Sequence, residues 1–345
     1  MKVSIIIPVY NVEKYISRCL NSVINQTMTE GVECIIIDDC TPDNSMDIIE
    51  QILKDYNGGI QFQIIHNKNN RGIAAVRNMG LLQAKGDYIS YIDSDDYCEP
   101  NMIEEMYMLA IQKNADMVIS DYYVHTSHQV SYIHQFVPNT WEECFRANLS
   151  DRLKGFLWNK LIKRELYFTN NIFYKNGVNY GEDFLISLQL FYYAQKIVHI
   201  PQAFLHYMQD NLGSYSRAIS RHSLENIREC EKYLYSFLEE KKILSRFSDE
   251  IDMIRLRNLI QLLFRSSGKL QFEWMEPYRD LKIKVVIKNK DLLPSLYWRI
   301  AVIFALMGML PIYNGMRNIW RILRPEQAKL TPLFNSPKFK WIMQQ

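Results

Sequence analysis

Short apolar runs rich in β-branched residues, each followed by a segment of helical period, fill the N-terminal part of the chain and constrain its fold more than any other feature. Val3 to Val9 reads as a buried strand, and Val12 to Ile24 carries Ile16, Leu20, Val23 and Ile24 at helical spacing. Glu33 to Ile37 reads as a second strand, closed by Asp38-Asp39 and the turn sequence Thr41-Pro42-Asp43-Asn44-Ser45, after which Met46 to Leu53 resumes a helical period. Phe62 to His66 is a third strand, Asn69-Asn70-Arg71-Gly72 a loop and Ala74 to Ala84 a helix. Gly86-Asp87 then breaks the chain before the strand Tyr88 to Ile92. Such alternation implies parallel pairing and a sheet covered on both faces. Ligands of these sheets bind beyond the carboxyl ends of the strands. Asp38-Asp39 and Asp93-Ser94-Asp95-Asp96 both fall at that edge, so two acidic clusters converge on one crevice.

Three carboxylates within the four residues Asp93 to Asp96 crowd like charges at a strand end, which costs energy unless a cation or a proton relieves it. Hard oxygen donors of this kind suit Mg²⁺ or Mn²⁺, with substrate phosphates completing the shell. A solvated Asp-rich turn accounts for the same residues, because Asp favours turns and caps for its own reasons.

Composition narrows the class. The 345 residues include 23% charged and 48% hydrophobic ones, an ordinary globular balance, and a net charge of +2 leaves no nucleic-acid footprint. Six scattered cysteines without a Cys-x-x-Cys pair argue against a zinc cluster of thiolates and against a disulfide framework. Met1-Lys2 runs straight into the first strand with no cleavage-site pattern after it, which points to a cytoplasmic catalytic part. A dinucleotide-dependent oxidoreductase needs a Gly-x-Gly-x-x-Gly turn after the first strand. Pro8-Val9-Tyr10-Asn11 stands there instead.

Taken in order, these segments resemble glycosyltransferase family 2, whose members have the GT-A fold. The resemblance runs from Val3 through Pro8-Val9-Tyr10-Asn11 to Tyr15, through Cys19 to Val23 with Gln26-Thr27, and through Ile37 to Ser45. It resumes at Asn70-Arg71-Gly72-Ile73-Ala74-Ala75-Val76-Arg77-Asn78 and at Gly86 to Asp96. Cys40, where a Gly or small polar residue is common, and Val76, where Ala is usual, depart from the pattern. The resemblance implies an α/β GT-A fold, a Rossmann-like and mostly parallel sheet between helices, with a helical C-terminal extension. It implies a domain over 1–220, with a nucleotide-binding half at 1–100 and an acceptor half at 101–220, followed by a helical region at 221–345.

It also implies roles. Pro8, Tyr10 and Asn11 would shape the donor site, with Tyr10 stacking on uracil while Asp39 accepts its imide N–H; strand-end packing and turn capping remain the plain alternatives. Arg77 would lie near the base or diphosphate, unless it is merely a solvated helical Arg. Asp93 would contact the ribose or the metal, Ser94 would contact the donor, and Asp95 of the Asp-x-Asp motif would hold Mn²⁺ or Mg²⁺. Asp96 orients its neighbours or caps a turn. Gly181-Glu182-Asp183-Phe184 would supply the general base from Asp183, with Glu182 on the acceptor side, although acidic residues also favour the first turn of a helix for its own sake. Trp158, in Trp158-Asn159-Lys160-Leu161, would shape the sugar pocket or belong to the core. His206 would complete the metal shell or be a core histidine, and Ser214-Tyr215-Ser216 would belong to a loop closing over the donor.

The function implied is a metal-dependent inverting hexosyltransferase. It would move a sugar from a UDP-hexose or UDP-N-acetylhexosamine to a saccharide or lipid-linked saccharide in cell-surface polysaccharide assembly. A non-catalytic sugar-nucleotide-binding subunit of an assembly complex would carry the same motifs. Near the C-terminus the run Ile300 to Tyr313 is nearly all apolar, contains Pro311 and is followed by Arg317, Arg321 and Arg324. It is shorter than the roughly 18–20 residues of a bilayer span. Peripheral contact with the cytoplasmic membrane face and burial as a core helix both fit it.

Overall fold

The computed structural model describes residues 1–127, 129–209, 221–293 and 295–323. They belong to two compact units, within 1–214 and 215–345.

The first unit is built on a nine-stranded sheet of order β3-β2-β1-β4-β8-β6-β9-β5, with β7 paired to β6. Its strands are β1 (Val3–Val9), β2 (Val32–Asp38), β3 (Gln61–His66), β4 (Tyr88–Tyr91), β5 (Tyr97–Cys98), β6 (Met117–His125), β7 (Val130–Ile133), β8 (Lys160–Lys163) and β9 (Ile197–Met208). Its helices are α1 (Ile16–Ile24), α2 (Ser45–Lys54), α3 (Ile73–Gln83), α4 (Met102–Lys113), α5 (Trp141–Leu149), α6 (Arg164–Thr169) and α7 (Glu182–Tyr193). Strands β1 to β4 pair in parallel, as the alternating pattern requires. Every residue of β1 and β2 is buried, which is why these strands read as continuous apolar runs rather than alternating ones.

The order β3-β2-β1-β4 reverses direction at β1, so the connections leaving β1 and β4 diverge there and open a crevice at the strands' carboxyl ends. Beyond β4 the sheet turns mixed: β8 runs antiparallel to β4 and β6, while β9 runs parallel to β6. All six cysteines are free, five of them buried.

The second unit is helical in its described residues. It contains α8 (Arg221–Glu240), α9 (Ser248–Arg265), α10 (Gly268–Met275), α11 (Ile283–Lys288), α12 (Leu296–Leu306) and α13 (Leu310–Leu323). The apolar run over 300–313 is not one helix. It breaks at Gly308, whose φ of +79° ends α12 before Pro311 enters the first turn of α13. One side of this pair is core, with Trp298, Ala301, Val302 and Ala305 buried and Trp298 packed edge-on against Phe264 at 4.4 Å between centroids. The other side exposes Leu296, Ile312, Ile319 and Ile322. Arg317, expected as part of a basic flank, is buried instead, and its guanidinium donates to the carbonyls of Leu263 (2.9 Å) and Ser266 (2.7 Å) at the end of α9. Arg321 is exposed, and Arg324 lies outside the described residues. No helix among the described residues is long and apolar enough to cross a membrane.

Candidate active site

The loops after β1 and β2 are laced together at the crevice floor. Asn11 takes a left-handed conformation (φ +55°), and its N–H donates to Thr41 Oγ1 at 2.8 Å, while Glu13 N donates to Asp43 Oδ2 at 2.8 Å. Pro8 is buried in β1 beside Ile37, whereas Tyr10, just past the strand end, is 47% exposed. An aromatic face is thus presented to solvent at the mouth of the sheet. Asp39 lies beside it, its N–H donating to the Val9 carbonyl at 3.0 Å. The Asp39 carboxylate is 4% exposed and fastens the loop before α3, accepting from Arg71 N (2.8 Å), Gly72 N (2.9 Å) and the Asn67 amide (2.9 Å). With roughly four lone-pair sites on a carboxylate, these bonds leave room for about one further donor. Gly72 is needed where it stands: its φ is +82°, and an added Cβ would meet Asn179 Nδ2 at 2.4 Å.

Arg77 is not the solvated helical arginine that is its plain alternative. It is buried, at 4% exposure, and its guanidinium is the hub of three carboxylates rather than a solvated group. Nη2 donates to Asp93 Oδ1 at 2.9 Å; Nη1 donates to Glu182 Oε1 at 2.8 Å and Asp183 Oδ1 at 2.5 Å. Burial opposes the charge on Arg77, but Asp183, Asp93 and Glu182 beside it raise its pKa, so it stays a cation. One side chain from α3 therefore joins the Asp-x-Asp end of β4 to the first turn of α7. Its neighbour Asn78 ties α3 to the segment between α6 and α7, donating to the Tyr174 carbonyl and accepting from Tyr174 N, each at 2.8 Å. Asn179 Oδ1 accepts from Ala74 N at 3.2 Å.

Helix α7 starts at Gly181, whose φ of +82° turns the chain so that Glu182 and Asp183 open the helix facing Arg77. Both carboxyls are largely buried, with side chains 13% and 16% exposed. Burial pushes the pKa of Glu182 up, Asp183 adds to the rise and Arg77 opposes it. Burial also raises that of Asp183, against the pull of Arg77, with Asp93 adding to the rise and Lys160 opposing it. Two such carboxyls side by side favour a state with one proton between them near neutral pH. Tyr174 Oη donates to Asp183 Oδ1 at 3.4 Å.

Lys160, quoted within a motif but given no role from sequence, lies fully buried behind this pair. Its ammonium donates to the Lys154 carbonyl (2.8 Å), Asn159 Oδ1 (2.9 Å) and the Phe156 carbonyl, and burial lowers its pKa to about 7, with Asp183 opposing the fall. The signal available in the sequence was a lysine at the start of the short segment Lys160-Leu161-Ile162-Lys163, where a cation buried beside Leu161 and Ile162 needs several partners. Tyr174 and Asn179 carried no comparable signal.

At the end of β4, Asp93, Asp95 and Asp96 come together as expected. Ser94 between them is buried, and Arg18 of α1 donates to the Asp95 carbonyl at 3.3 Å. Asp96 is fully buried. Its Oδ1 accepts from Met208 N at 2.7 Å while Oδ2 finds no partner, and burial together with Asp95 and Asp93 raises its pKa well above the carboxylate range. It ties the end of β9 to this turn. Arg77 relieves the charge of Asp93 and burial favours a proton on Asp96, while the carboxylates of Asp93 and Asp95 remain hard oxygen donors of the kind that suits Mg²⁺ or Mn²⁺.

His206 and Trp158 are both held by aromatic neighbours. His206 Nε2 pairs with Glu99 Oε1 and Nδ1 with His125 Nε2, both at 2.8 Å. Its ring stacks between Tyr97 (4.2 Å) and Tyr123 (4.7 Å), so an ion bound at Asp95 would have to take a nitrogen away from one of these partners. Trp158 is 3% exposed and stacks on Phe156 (4.6 Å) and Tyr207 (5.5 Å), which makes it a wall of an aromatic cluster. Ser214-Tyr215-Ser216 lies outside the described residues.

A family model described as glycosyl transferase family 2 matches residues 4–175. EpsH of Bacillus subtilis (strain 168), which carries a glycosyltransferase name, is 30% identical over 276 residues, covering 77% of this chain and 78% of its own. Glycosyltransferase GlyG of Streptococcus pneumoniae serotype 4 is 32% identical over 228 residues, 62% of this chain and 70% of its own. Among solved structures, S. aureus TarS 1–349 in complex with UDP-GlcNAc superposes with a TM-score of 0.69 at 19% identity, over 93% of this chain and 92% of that one. At that identity the likeness is one of fold.

Proposed function

The chain belongs to glycosyltransferase family 2 and is a glycosyltransferase of the GT-A fold with a helical C-terminal region, and we propose that it catalyses an inverting, metal-dependent transfer from a UDP-sugar to a saccharide or lipid-linked saccharide. The observation that carries this reading is the Arg77 hub, which brings Asp93 and Asp183 to one guanidinium and so sets a donor-side carboxylate and a base candidate a side chain apart.

In the proposed reaction the acceptor oxygen attacks C1 of the donor sugar. Its proton passes to Asp183, and the bond from C1 to the diphosphate oxygen breaks with the electron pair leaving on UDP. A base suits this work when its pKa is lifted toward the working pH while its charge is still supported. Burial lifts that of Asp183, and Arg77 keeps the anion oriented through Oδ1. Burial and the neighbouring Asp183 raise Glu182 as well, so the pair shares a proton near neutral pH, and Glu182 is read as a contact of the acceptor. Tyr10 and Asp39 hold the uracil, one by its exposed ring and the other by its remaining acceptor site. Asp93 and Ser94 contact the ribose and diphosphate. Asp95 holds the Mn²⁺ or Mg²⁺, which, when bound, supplies Lewis-acid neutralisation of the leaving diphosphate.

The UDP-GlcNAc bound to the TarS neighbour supports a UDP-N-acetylhexosamine or UDP-hexose as donor, and relatives named poly(ribitol-phosphate) beta-glucosyltransferase and poly(ribitol-phosphate) beta-N-acetylglucosaminyltransferase support cell-surface polysaccharide assembly as the setting. We further read 1–220 as the transfer domain and 221–345 as an appended region at the cytoplasmic face of the membrane, touching it through the exposed apolar side of α12 and α13. Asp183→Asn tests the base. It is expected to lower turnover by at least about 10²–10⁴-fold with UDP affinity within a few fold of wild type, because general-base assistance is lost while donor contacts remain. Turnover close to wild type would remove Asp183 from the role. Asp95→Ala is expected to lose the part of UDP affinity that depends on Mn²⁺.

A further inference from the structure

A second constellation stands apart from the crevice, where β6, the end of β7 and the start of β9 meet. The registry of β6 against β9 slips there: Ser120 pairs with Ile200 but Asp121 pairs with Ala203, so Pro201 and Gln202 bulge out of the ladder. Bulges of this kind re-aim side chains and recur beside functional sites. Asp121, fully buried, receives an imidazole on each oxygen. His199 Nε2 lies 2.8 Å from Oδ1 and His134 Nδ1 lies 3.0 Å from Oδ2. The three ligand atoms lie within 4.8 Å of one another, and the imidazole centroids are 5.2 Å apart, inclined at 69°. Two further donors steady the carboxylate: Gln135 N at 2.7 Å from Oδ1 and Tyr132 Oη at 2.5 Å from Oδ2. His134 is the open side of the group, its side chain 65% exposed, whereas that of His199 is 19% exposed.

We propose that Asp121, His134 and His199 form a zinc-class metal site, separate from the Asp-x-Asp motif. Two imidazole nitrogens and one carboxylate oxygen are the donor set of Zn²⁺ and its neighbours in the transition series, and they are a poor set for Mg²⁺, which prefers oxygen. Ligands about 2.0–2.1 Å from a tetrahedral ion are about 3.3 Å from one another. The two short carboxylate-imidazole separations are made to different oxygens, so with one oxygen as ligand the group, spread over as much as 4.8 Å, must close by up to about 1.5 Å, a movement open to the exposed His134. For the ion to enter, His134 Nδ1 and His199 Nε2 must present lone pairs. Each imidazole therefore moves its proton to its other nitrogen or releases it to solvent, and binding weakens as the pH falls. Gln135 N and Tyr132 Oη remain on the carboxylate as the partners that orient it. The fourth position faces solvent on the His134 side and takes water. An ion there fastens the end of β7 and the residues after it to the β6–β9 pair, as a clip between segments that are distant in sequence.

The test uses the full chain freed of metal and titrated with Co²⁺, which reports tetrahedral nitrogen and oxygen ligation through its visible absorption. The expected result is one equivalent of Co²⁺ with tetrahedral bands, displaced by Zn²⁺. Its affinity is expected to fall by at least about 100-fold in His134→Ala and in His199→Ala, since loss of a partner that merely orients a ligand already costs about 10–100-fold. His134 is so exposed that its replacement leaves the fold intact, and a wild-type thermal shift with Zn²⁺ that is missing from His134→Ala gives a second readout. The site is independent of the donor-side carboxylates, so Asp95→Ala should keep the bands. Absence of tetrahedral bands, their retention in both histidine variants, or their loss in Asp95→Ala would overturn the proposal.

Discussion

Replacing Arg77 with methionine keeps most of the buried volume of the side chain and removes its charge, so it isolates what the guanidinium does. Three contacts vanish together, to Asp93 at 2.9 Å, Glu182 at 2.8 Å and Asp183 at 2.5 Å. Removing one partner of a buried ionic cluster costs on the order of 3–5 kcal/mol, because the charges left behind are neither solvated nor paired. For a unit of this size each kcal/mol moves the melting temperature by about 2–4 °C, so a drop on the order of 6–20 °C is expected at neutral pH.

The sign of the pH dependence separates this cause from simple loss of packing. Without Arg77 the pKa values of Glu182 and Asp183 climb further, and above the ordinary carboxylate range the folded variant binds more protons than its unfolded chain. Its stability therefore falls as the pH rises, and the gap from wild type is widest near about pH 8 and narrowest near about pH 5. Urea unfolding at both values, with hydrogen exchange followed over α3 and α7, reads the effect. A gap under about 1 kcal/mol, or one that is equal at the two pH values, would refute the reasoning.

Two further expectations concern the donor loop and the base. Asp39→Ala leaves the N–H groups of Arg71 and Gly72 without their acceptor and should cost about 1–3 kcal/mol, with faster hydrogen exchange confined largely to residues 67–72 and weaker UDP binding. The kcat/KM profile should show an acid limb, because Asp183 must be ionised to take a proton. That limb should lie above the ordinary aspartate value of about 4, since burial raises this carboxyl. A limb at or below about 4 would mean that another group is titrating.

The parallel core was legible in the sequence because its strands are buried on both faces and so appear as unbroken apolar runs, Val3 to Val9 above all. The convergence of Asp39 and Asp93 to Asp96 on one edge followed from the alternation of strand and helix, and β1 does stand between β2 and β4. What escaped was set by tertiary partners. Arg77 looks like any solvated helical arginine until the first turn of α7, more than a hundred residues later, is folded against it. The antiparallel strands β7 and β8 are four residues each and carry no long periodic signal. The apolar run over 300–313 looked like a single segment because the left-handed turn at Gly308 is a matter of one backbone angle. His206 was offered two roles by its position in the chain, and its stacking between Tyr97 and Tyr123 depends on neighbours from two other strands.

The donor site is the centre of the functional reading, and thermal stabilisation by nucleotide tests it most directly. UDP, GDP and CDP, each with and without Mn²⁺, should raise the melting temperature to different extents, because a ligand that binds only the folded state stabilises it by mass action. At a UDP concentration about 100 times its dissociation constant the gain is about 2.7 kcal/mol, on the order of 5–10 °C for a unit of this size. A shift selective for UDP, dependent on Mn²⁺ and absent from Asp95→Ala, is the predicted result. No shift with any of the three nucleotides, with Mn²⁺ present, would contradict it.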